Sequence, residues 1–276
     1  MKFGSFLSVA RIAPLALMVA AFASGCTLTV KTKTRFVLPD GDPSTIATAT
    51  DDWNGEAIEL QAAGVQVSVN GGANIRGVAG LTKITVKARV LAMADDTDQA
   101  SAQLSLAEAA KTLKISRGAN GKFVIECGHG QSHGTSTADT SGCELLDIQV
   151  PTGSITQPVS ITAAPATGSL TVTGLTVLDA QLTGDSDATV SLSFVKGATI
   201  NVISSSGDAS LSIPAASSAD AVTLTGDATK SSSDFAEVKA NAQPVSIGTV
   251  GEGAKSINVE SKVFAGSPEA AILKKL

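Results

Sequence analysis

Two cysteines and both histidines of the chain lie in one short polar segment. Cys127 and Cys143 are 16 positions apart, and His129 and His133 lie between them in the run GHGQSHGTSTADTSG. These four side chains could in principle ligate zinc, but their spacing matches no familiar zinc module. The N-terminus has the layout of an export signal, and in an exported chain an even pair of cysteines favours a disulfide. We therefore predict a Cys127–Cys143 disulfide and no metal site; a loop of this length is worth about 3 kcal/mol.

Three aspartates follow glycines in similar turns: Asp185, Asp208 and Asp227. If the turns are equivalent in successive strands, the carboxylates lie about 5 Å apart along one edge. Such an edge is a possible calcium or ligand site. Asp beside Gly is also the ordinary turn pair, and the dense Gly-Gly-x-Gly-x-Asp repeats of calcium solenoids are absent. Turn chemistry is the simpler account, and the ligand edge stays open beside it.

Residues for catalysis are scarce. His129 and His133 are the only histidines, so any histidine-dependent nucleophile would need one of them. The chain has no G-x-S-x-G elbow and no phosphate-binding glycine loop. One Trp and no Tyr provide almost no aromatic platform for a sugar chain. We expect no catalytic residue, no cofactor and no enzymatic activity, with a polysaccharide-processing or polysaccharide-binding protein as an alternative.

The third cysteine, Cys26, follows a segment with the layout of a secretory signal. Two positive charges, Lys2 and Arg11, precede an apolar run, IAPLALMVAAFA, that ends in small residues. The run is shorter than the roughly 20 apolar residues of a spanning helix. Ala23-Ser24-Gly25-Cys26 looks like a lipobox, with Ala where Leu is usual. We predict cleavage before Cys26 and acylation of its thiol, including palmitate; an ordinary cleaved signal or an uncleaved anchor are the alternatives.

Composition narrows the remaining possibilities. Cleavage removes Lys2 and Arg11 and no acidic residue, which changes the net charge from −5 to −7. Such a chain is not a nucleic-acid binder by charge. Small and β-branched residues dominate over aromatics, which favours stacked β layers. We predict three segments: a lipoprotein signal peptide over 1–25, a lipid-anchored tether ending in a first strand over 26–52, and a β domain over 53–276.

Alternating polar and apolar runs predict short strands, each with one buried face. These runs are Val65–Val69, Ile84–Val90, Leu113–Ser116, Phe123–Glu126 and Leu146–Val150. The segment Asp95–Leu113 instead places Ala100, Leu104, Ala107 and Ala110 at helical spacing, which predicts one inserted helix. At the C-terminus, Ser267 as N-cap, Pro268 in the first turn, and Lys274 and Lys275 in the last turn predict a short helix.

From Pro158 to Phe264, strand runs are separated by nearly identical turns. The turn glycines, Gly168, Gly184, Gly207 and Gly226, recur at intervals of 16, 23 and 19 residues. We expect each glycine to supply a left-handed backbone conformation. A loose repeat of about 20 residues is typical of stacked rungs that bury their apolar faces against neighbouring rungs.

Several runs resemble the bacterial putative-adhesin β-helix domain family. They are GVQVSVNGGANIRGVAGLTKITVKARV, LLDIQVPTG, GSLTVTGL and SSSGDASLSIP, and the resemblance covers about Trp53 to Phe264. It implies a mostly β fold, a right-handed parallel β-helix or β-solenoid, to which the residue patterns add the inserted helix and the short C-terminal helix. It carries over no catalytic residue.

Together these features predict a non-enzymatic, membrane-anchored lipoprotein of the bacterial cell envelope, in the outer membrane by analogy because Thr27, not Asp, follows Cys26. It would act as an adhesive or structural module with a glycan or protein partner at the cell surface, and no nucleic acid. An alternative is a periplasmic scaffold that self-associates through its β edges, where the C-terminal helix would be a cap. The sequence leaves the oligomeric state open.

Overall fold

The computed structural model describes residues 44–52, 64–81, 83–93, 99–118, 122–128, 140–152, 159–262 and 269–276. All of them belong to one compact unit, Arg35–Leu276. Its elements are β1 Ser44–Asp52, β2 Gly64–Val69, β3 Gly72–Ala79, β4 Lys83–Met93, α1 Gln99–Ala110, β5 Lys114–Arg117, β6 Phe123–Cys127, β7 Thr140–Thr152, β8 Val159–Ala163, β9 Leu170–Gly184, β10 Ala188–Ser204, β11 Ala209–Ile213, β12 Ala219–Thr225, β13 Ser232–Ser233, β14 Val245–Ile247, β15 Ser256–Ser261 and β16 Ala271–Lys275.

The described strands join in one large sheet that is not closed, and they fall into two rows of parallel strands. The first row runs β7, β3, the first part of β9, the first part of β10, β11, β16 and β13. The second row runs β6, β2, β8, the later part of β9, the later part of β10, β15 and β12. Antiparallel strands flank these rows: β4 and then β1 beyond β7, β5 beyond β6, and β14 beyond β12. The protein is therefore mostly β, and the two long strands β9 and β10 belong to both rows.

Glycines mark the places where β9 and β10 change row. Gly174 has a φ of 67° and is the extra residue between the pairs Thr173–Ser191 and Leu175–Leu192. A bulge of this kind bends a strand and increases its local twist. Gly197, with a φ of 83°, lies at the corresponding irregularity of β10. Both positions require a left-handed backbone that glycine adopts without steric cost.

The core consists of small apolar side chains stacked in register. In the first row each of six fully buried residues is the Cα partner of the next: Ile148, Ile75, Val172, Val190, Leu211 and Leu273. In a strand, alternate side chains face the same side, so the alternating patterns of β9, β10 and β11 bury one stripe each. Like residues at one strand spacing pack without large aromatics, which fits the composition.

The strands predicted from alternation are confirmed in β2, β4, β5, β6 and β7. The inserted helix is also confirmed, although two of the four residues whose spacing predicted it are exposed. Leu104 is 57% exposed and Ala107 is exposed, whereas Ser105, Leu106 and Ala109 are buried. The helix packs against β4 and β7, and those strands decide which side is covered.

The predicted C-terminal helix is wrong, because residues 271–275 form strand β16. Ala271 and Leu273 are fully buried, while Lys274 and Lys275 are exposed. The segment lies between β11 and β13, and both neighbours pair with its backbone. Tertiary pairing has overridden the local helix signals, which here came from a proline and two lysines.

Candidate ligand-binding surface

The disulfide predicted between Cys127 and Cys143 is confirmed. It joins the end of β6 to β7, with a Cα–Cα distance of 5.8 Å, and both cysteines are buried. Thr112, just after α1, supports this region, because the Gly128 amide donates to its Oγ1 at 3.1 Å. The link therefore joins the two rows beside the helix. His129, His133 and the predicted lipidation site Cys26 lie outside the described residues.

The aspartates of the turns do not align as the repeat suggested. Ala188 pairs with Ala209, so the residue that aligns with Asp208 is Asp187 rather than Asp185. Asp187 Oδ1 accepts a hydrogen bond from the Asp208 amide at 3.0 Å. Asp208 Oδ1 in turn accepts one from the Ala270 amide at 2.8 Å. These carboxylates bind backbone amides of neighbouring turns, which is turn chemistry.

Asp227 organises its own turn. Its carboxylate accepts hydrogen bonds from the Thr229 hydroxyl, from the Thr229 amide at 2.7 Å and from the Lys230 amide at 3.1 Å. The hydroxyl of Thr229, followed by its amide, lowers the pKa of Asp227 below 3.8. Lys230 pairs with Glu269 at 2.9 Å, and this hydrogen bond raises the pKa of the lysine. The turn is thus held together by charge-assisted contacts of its own.

No calcium-type arrangement forms among the aspartates of the described residues. Within that part of the chain, no three His, Cys, Asp or Glu side chains group so that they could hold a metal ion. The Asp185 carbonyl oxygen, at the first of the three predicted positions, accepts a hydrogen bond from the Ser206 hydroxyl at 2.6 Å. The three positions therefore do not form one shared carboxylate site.

The turn glycines are needed for close packing more than for left-handed backbone. Of the four, only Gly168 has a positive φ, at 81°. A Cβ at Gly184 would collide with the Asp187 carbonyl oxygen, and one at Gly226 would meet the Ser231 hydroxyl. The repeated glycines therefore have two physical causes, left-handed backbone at Gly168 and close packing at Gly184 and Gly226. The prediction named only the left-handed backbone.

A regular polar surface lies on the outward face of the second row. Six uncharged side chains, none of them buried, pair in register across six strands: Gln66, Thr162, Gln181, Asn201, Asn258 and Thr223. We call them the amide ladder. Asn201 Nδ2 donates to Gln181 Oε1 at 3.2 Å, and Asn258 Nδ2 donates to Asn201 Oδ1 at 2.7 Å. These bonds fix the amide planes and leave further donors and acceptors directed outward, since each amide group can make about four hydrogen bonds.

The first row carries a different polar stripe. Thr171, Thr189 and Ser210 are successive Cα partners on β9, β10 and β11. We call them the hydroxyl ladder; they are exposed or half-buried. They offer a matched comparison for the amide ladder. Neither ladder could be predicted from the sequence, because alternation shows which side chains face outward but not which of them become neighbours.

No helix within the described residues is long and apolar enough to cross a membrane.

Comparison with known proteins shows the fold class only. No protein family model and no curated protein matches the chain. A solved structure with a similar fold is that of a putative cell adhesion protein from Clostridium sporogenes. The two chains are 13% identical, with a TM-score of 0.51, over 84% of this chain and 100% of the other. The similarity supports a shared mostly β architecture with an adhesin-like protein.

Proposed function

We propose that the protein is a non-enzymatic adhesive module of the bacterial cell envelope, anchored by lipid on Cys26 and built as a right-handed β-solenoid. The observation that carries the adhesive role is the amide ladder. Carboxamides are donors and acceptors at once, so a fixed row of them can match the hydroxyl and amide groups of a glycan or a protein surface. The absence of charge along the ladder favours a neutral partner.

The frame behind the ladder suits this role. The apolar partners on the other side of the same strands are fully buried, for example Leu182, Val202 and Val259. A packed core holds the strands in one arrangement, so little conformational entropy is lost when a ligand binds. The similar fold of the Clostridium sporogenes protein described as a putative cell adhesion protein supports the same role.

Binding is tested by removing the amides. The wild-type protein, when immobilised, should retain glycans or cell-surface proteins. The triple variant Gln181→Ala, Asn201→Ala, Asn258→Ala should not retain them. The control is Thr171→Ala, Thr189→Ala, Ser210→Ala on the hydroxyl ladder, which should bind normally. Both variants must give the wild-type circular dichroism spectrum. Equal binding by the two variants would remove the amide ladder as the adhesive surface.

The anchor needs its own test. Cells fed labelled palmitate should label the wild-type chain, and Cys26→Ser should abolish the label and release the protein from the membrane fraction. Cys143→Ser, which removes a cysteine elsewhere, is the control and should stay labelled. Label that persists in Cys26→Ser would exclude lipidation at this residue.

A further inference from the structure

The last strands of the chain lie between strands that precede them in sequence. In the first row β16 lies between β11 and β13, and in the second row β15 lies between β10 and β12. We call residues 253–262 and 269–276 the C-terminal rung. Without it, the strands on its two sides are about 9.5 Å apart, two strand spacings, and cannot pair with each other in place. The rest of the chain thus forms a slot that two strands fill.

Both sides of the slot form backbone hydrogen bonds with the C-terminal rung. At its beginning the Lys255 amide donates to the Ala198 carbonyl at 2.8 Å, and the Ala254 amide donates to the Ser218 carbonyl at 2.9 Å. At its end the Leu276 amide donates to the Ile213 carbonyl at 2.8 Å. The buried side chains of the rung alternate with half-buried ones, and the last residues of β16 are exposed, so the slot accepts one register only.

The turn that leads into the C-terminal rung lies at the surface and is held by exposed contacts. The Gly251 amide donates to Asp220 Oδ1 at 2.5 Å, and Lys196 pairs with Glu252 at 3.2 Å, with both side chains 64% exposed. Exposed ion pairs of this kind add little to stability. Ile247 and Ala254 pair with Ala219 from opposite sides, so residues 248–253 cross over the beginning of β12. Thr249, Val250, Gly251 and Glu252 are exposed, Val250 by 65%. Gly248 and Gly251 have positive φ values of 61° and 78°, which other residues rarely adopt. These are the properties of a hinge: exposed backbone and a sharp reversal that can straighten.

We propose that the C-terminal rung is exchanged between two copies of this chain, each filling the slot of the other. Exchange preserves every contact of the rung, because the same residues meet the same slot, and only the hinge changes. The C-terminal rung can also fill the slot of its own chain, which it meets at an effective concentration of the order of millimolar, and this competes with exchange. Exchange therefore occurs when copies are concentrated as they fold. The proposal goes beyond adhesion to a partner and does not depend on the lipid anchor.

A mixing experiment tests the exchange directly. Ser212 on β11 and Lys274 on β16 are Cα partners whose side chains face outward. Chains carrying Ser212→Cys and chains carrying Lys274→Cys, both with Cys26→Ser, are refolded together at high concentration and treated with a short bis-maleimide, which adds one cysteine thiol at each end. A link between the two chains forms if the β16 of one lies beside the β11 of the other. We expect a species with the mass of two chains on a denaturing gel.

The matched control uses Thr189→Cys chains mixed with Ser210→Cys chains. These positions are also Cα partners, on β10 and β11, but both precede the hinge. Because neither strand is exchanged, β10 and β11 of the same chain stay neighbours. This mixture should therefore give no species linked between chains above the level of random collision. Equal yields in the two mixtures would overturn the proposal.

A hinge deletion gives a second measurement. Removing residues 249–252 leaves two residues between Ile247 and Ala254, which reach at most about 10.5 Å when extended. This reach exceeds the direct distance, about 9.5 Å across two strand spacings, by only about 1 Å, and β12 blocks the direct path. We expect a folded dimer by light scattering, since short hinges favour exchange. A folded monomer would contradict the proposal, and if the variant does not fold, the mixing experiment decides.

Discussion

Leu211 on β11 offers the sharpest test of how the stacked core stabilises the protein. It is fully buried, with Val190 and Leu273 as its Cα partners on either side. Leu211→Ala removes three carbon groups, which at roughly 0.8 kcal/mol each gives about 2.4 kcal/mol of lost transfer free energy. The cavity raises the expected loss to about 3–5 kcal/mol, because parallel strands on both sides prevent collapse of the site.

Urea unfolding followed by far-ultraviolet circular dichroism measures this loss as a fall in the midpoint at unchanged slope. The control is Ser212→Ala, one residue along the strand and facing outward, which should change the free energy of unfolding by less than about 0.5 kcal/mol. A loss below about 1 kcal/mol for Leu211→Ala would refute the stacked arrangement of this row, since it would mean that the side chain is not enclosed.

The other predictions concern separate parts of the fold. Replacing Cys127 and Cys143 with Ser should lower the free energy of unfolding by about 3 kcal/mol, and a reductant should lower the midpoint of the wild type but not of this variant. On α1, Leu106→Ala should cost about 2–3 kcal/mol and Leu104→Ala less than about 0.5 kcal/mol; the reverse order would contradict the burial of Leu106. The lowered pKa of Asp227 means that its contribution to stability is complete above its ordinary value of 3.8 and is lost as pH falls through the lower folded value. Wild type and Asp227→Asn should therefore converge in stability as the pH is lowered in acid titrations, and parallel curves would contradict this.

Much of the local structure follows from the amino-acid pattern. Alternation in β2 and β6 shows one buried stripe, and a 12-residue alanine-rich segment with apolar residues at helical spacing favours a helix. The two cysteines could be paired because an exported chain favours disulfides. These inferences need only the backbone geometry of one element.

Pairing between distant elements could not be predicted in the same way. Buried and exposed side chains alternate only weakly in residues 271–275, which carry two lysines. Their strand conformation therefore depends on β11 and β13, which pair with them on either side. Likewise Asp187 is adjacent to Asp208 because β10 and β11 share a register, not because of its distance from a glycine. The buried side of α1 depends on its neighbours in the same way, because helical spacing gives a period while β4 and β7 decide which side is covered.

The place of the C-terminal rung also sets an order of events during synthesis. Ala270 and Asp208, which are hydrogen-bonded, are 62 residues apart in the chain, so this contact waits for the final residues to be made. Before that, β15 and β16 have not been made, so no strand lies between β10 and β12 or between β11 and β13 in the nascent chain. Those strands can then pair directly with each other, in sequence order. Any such pairing would have to open again before β15 and β16 could enter. Contacts of this separation form slowly, and a chain shortened by a few terminal residues should lose far more structure than those residues contain.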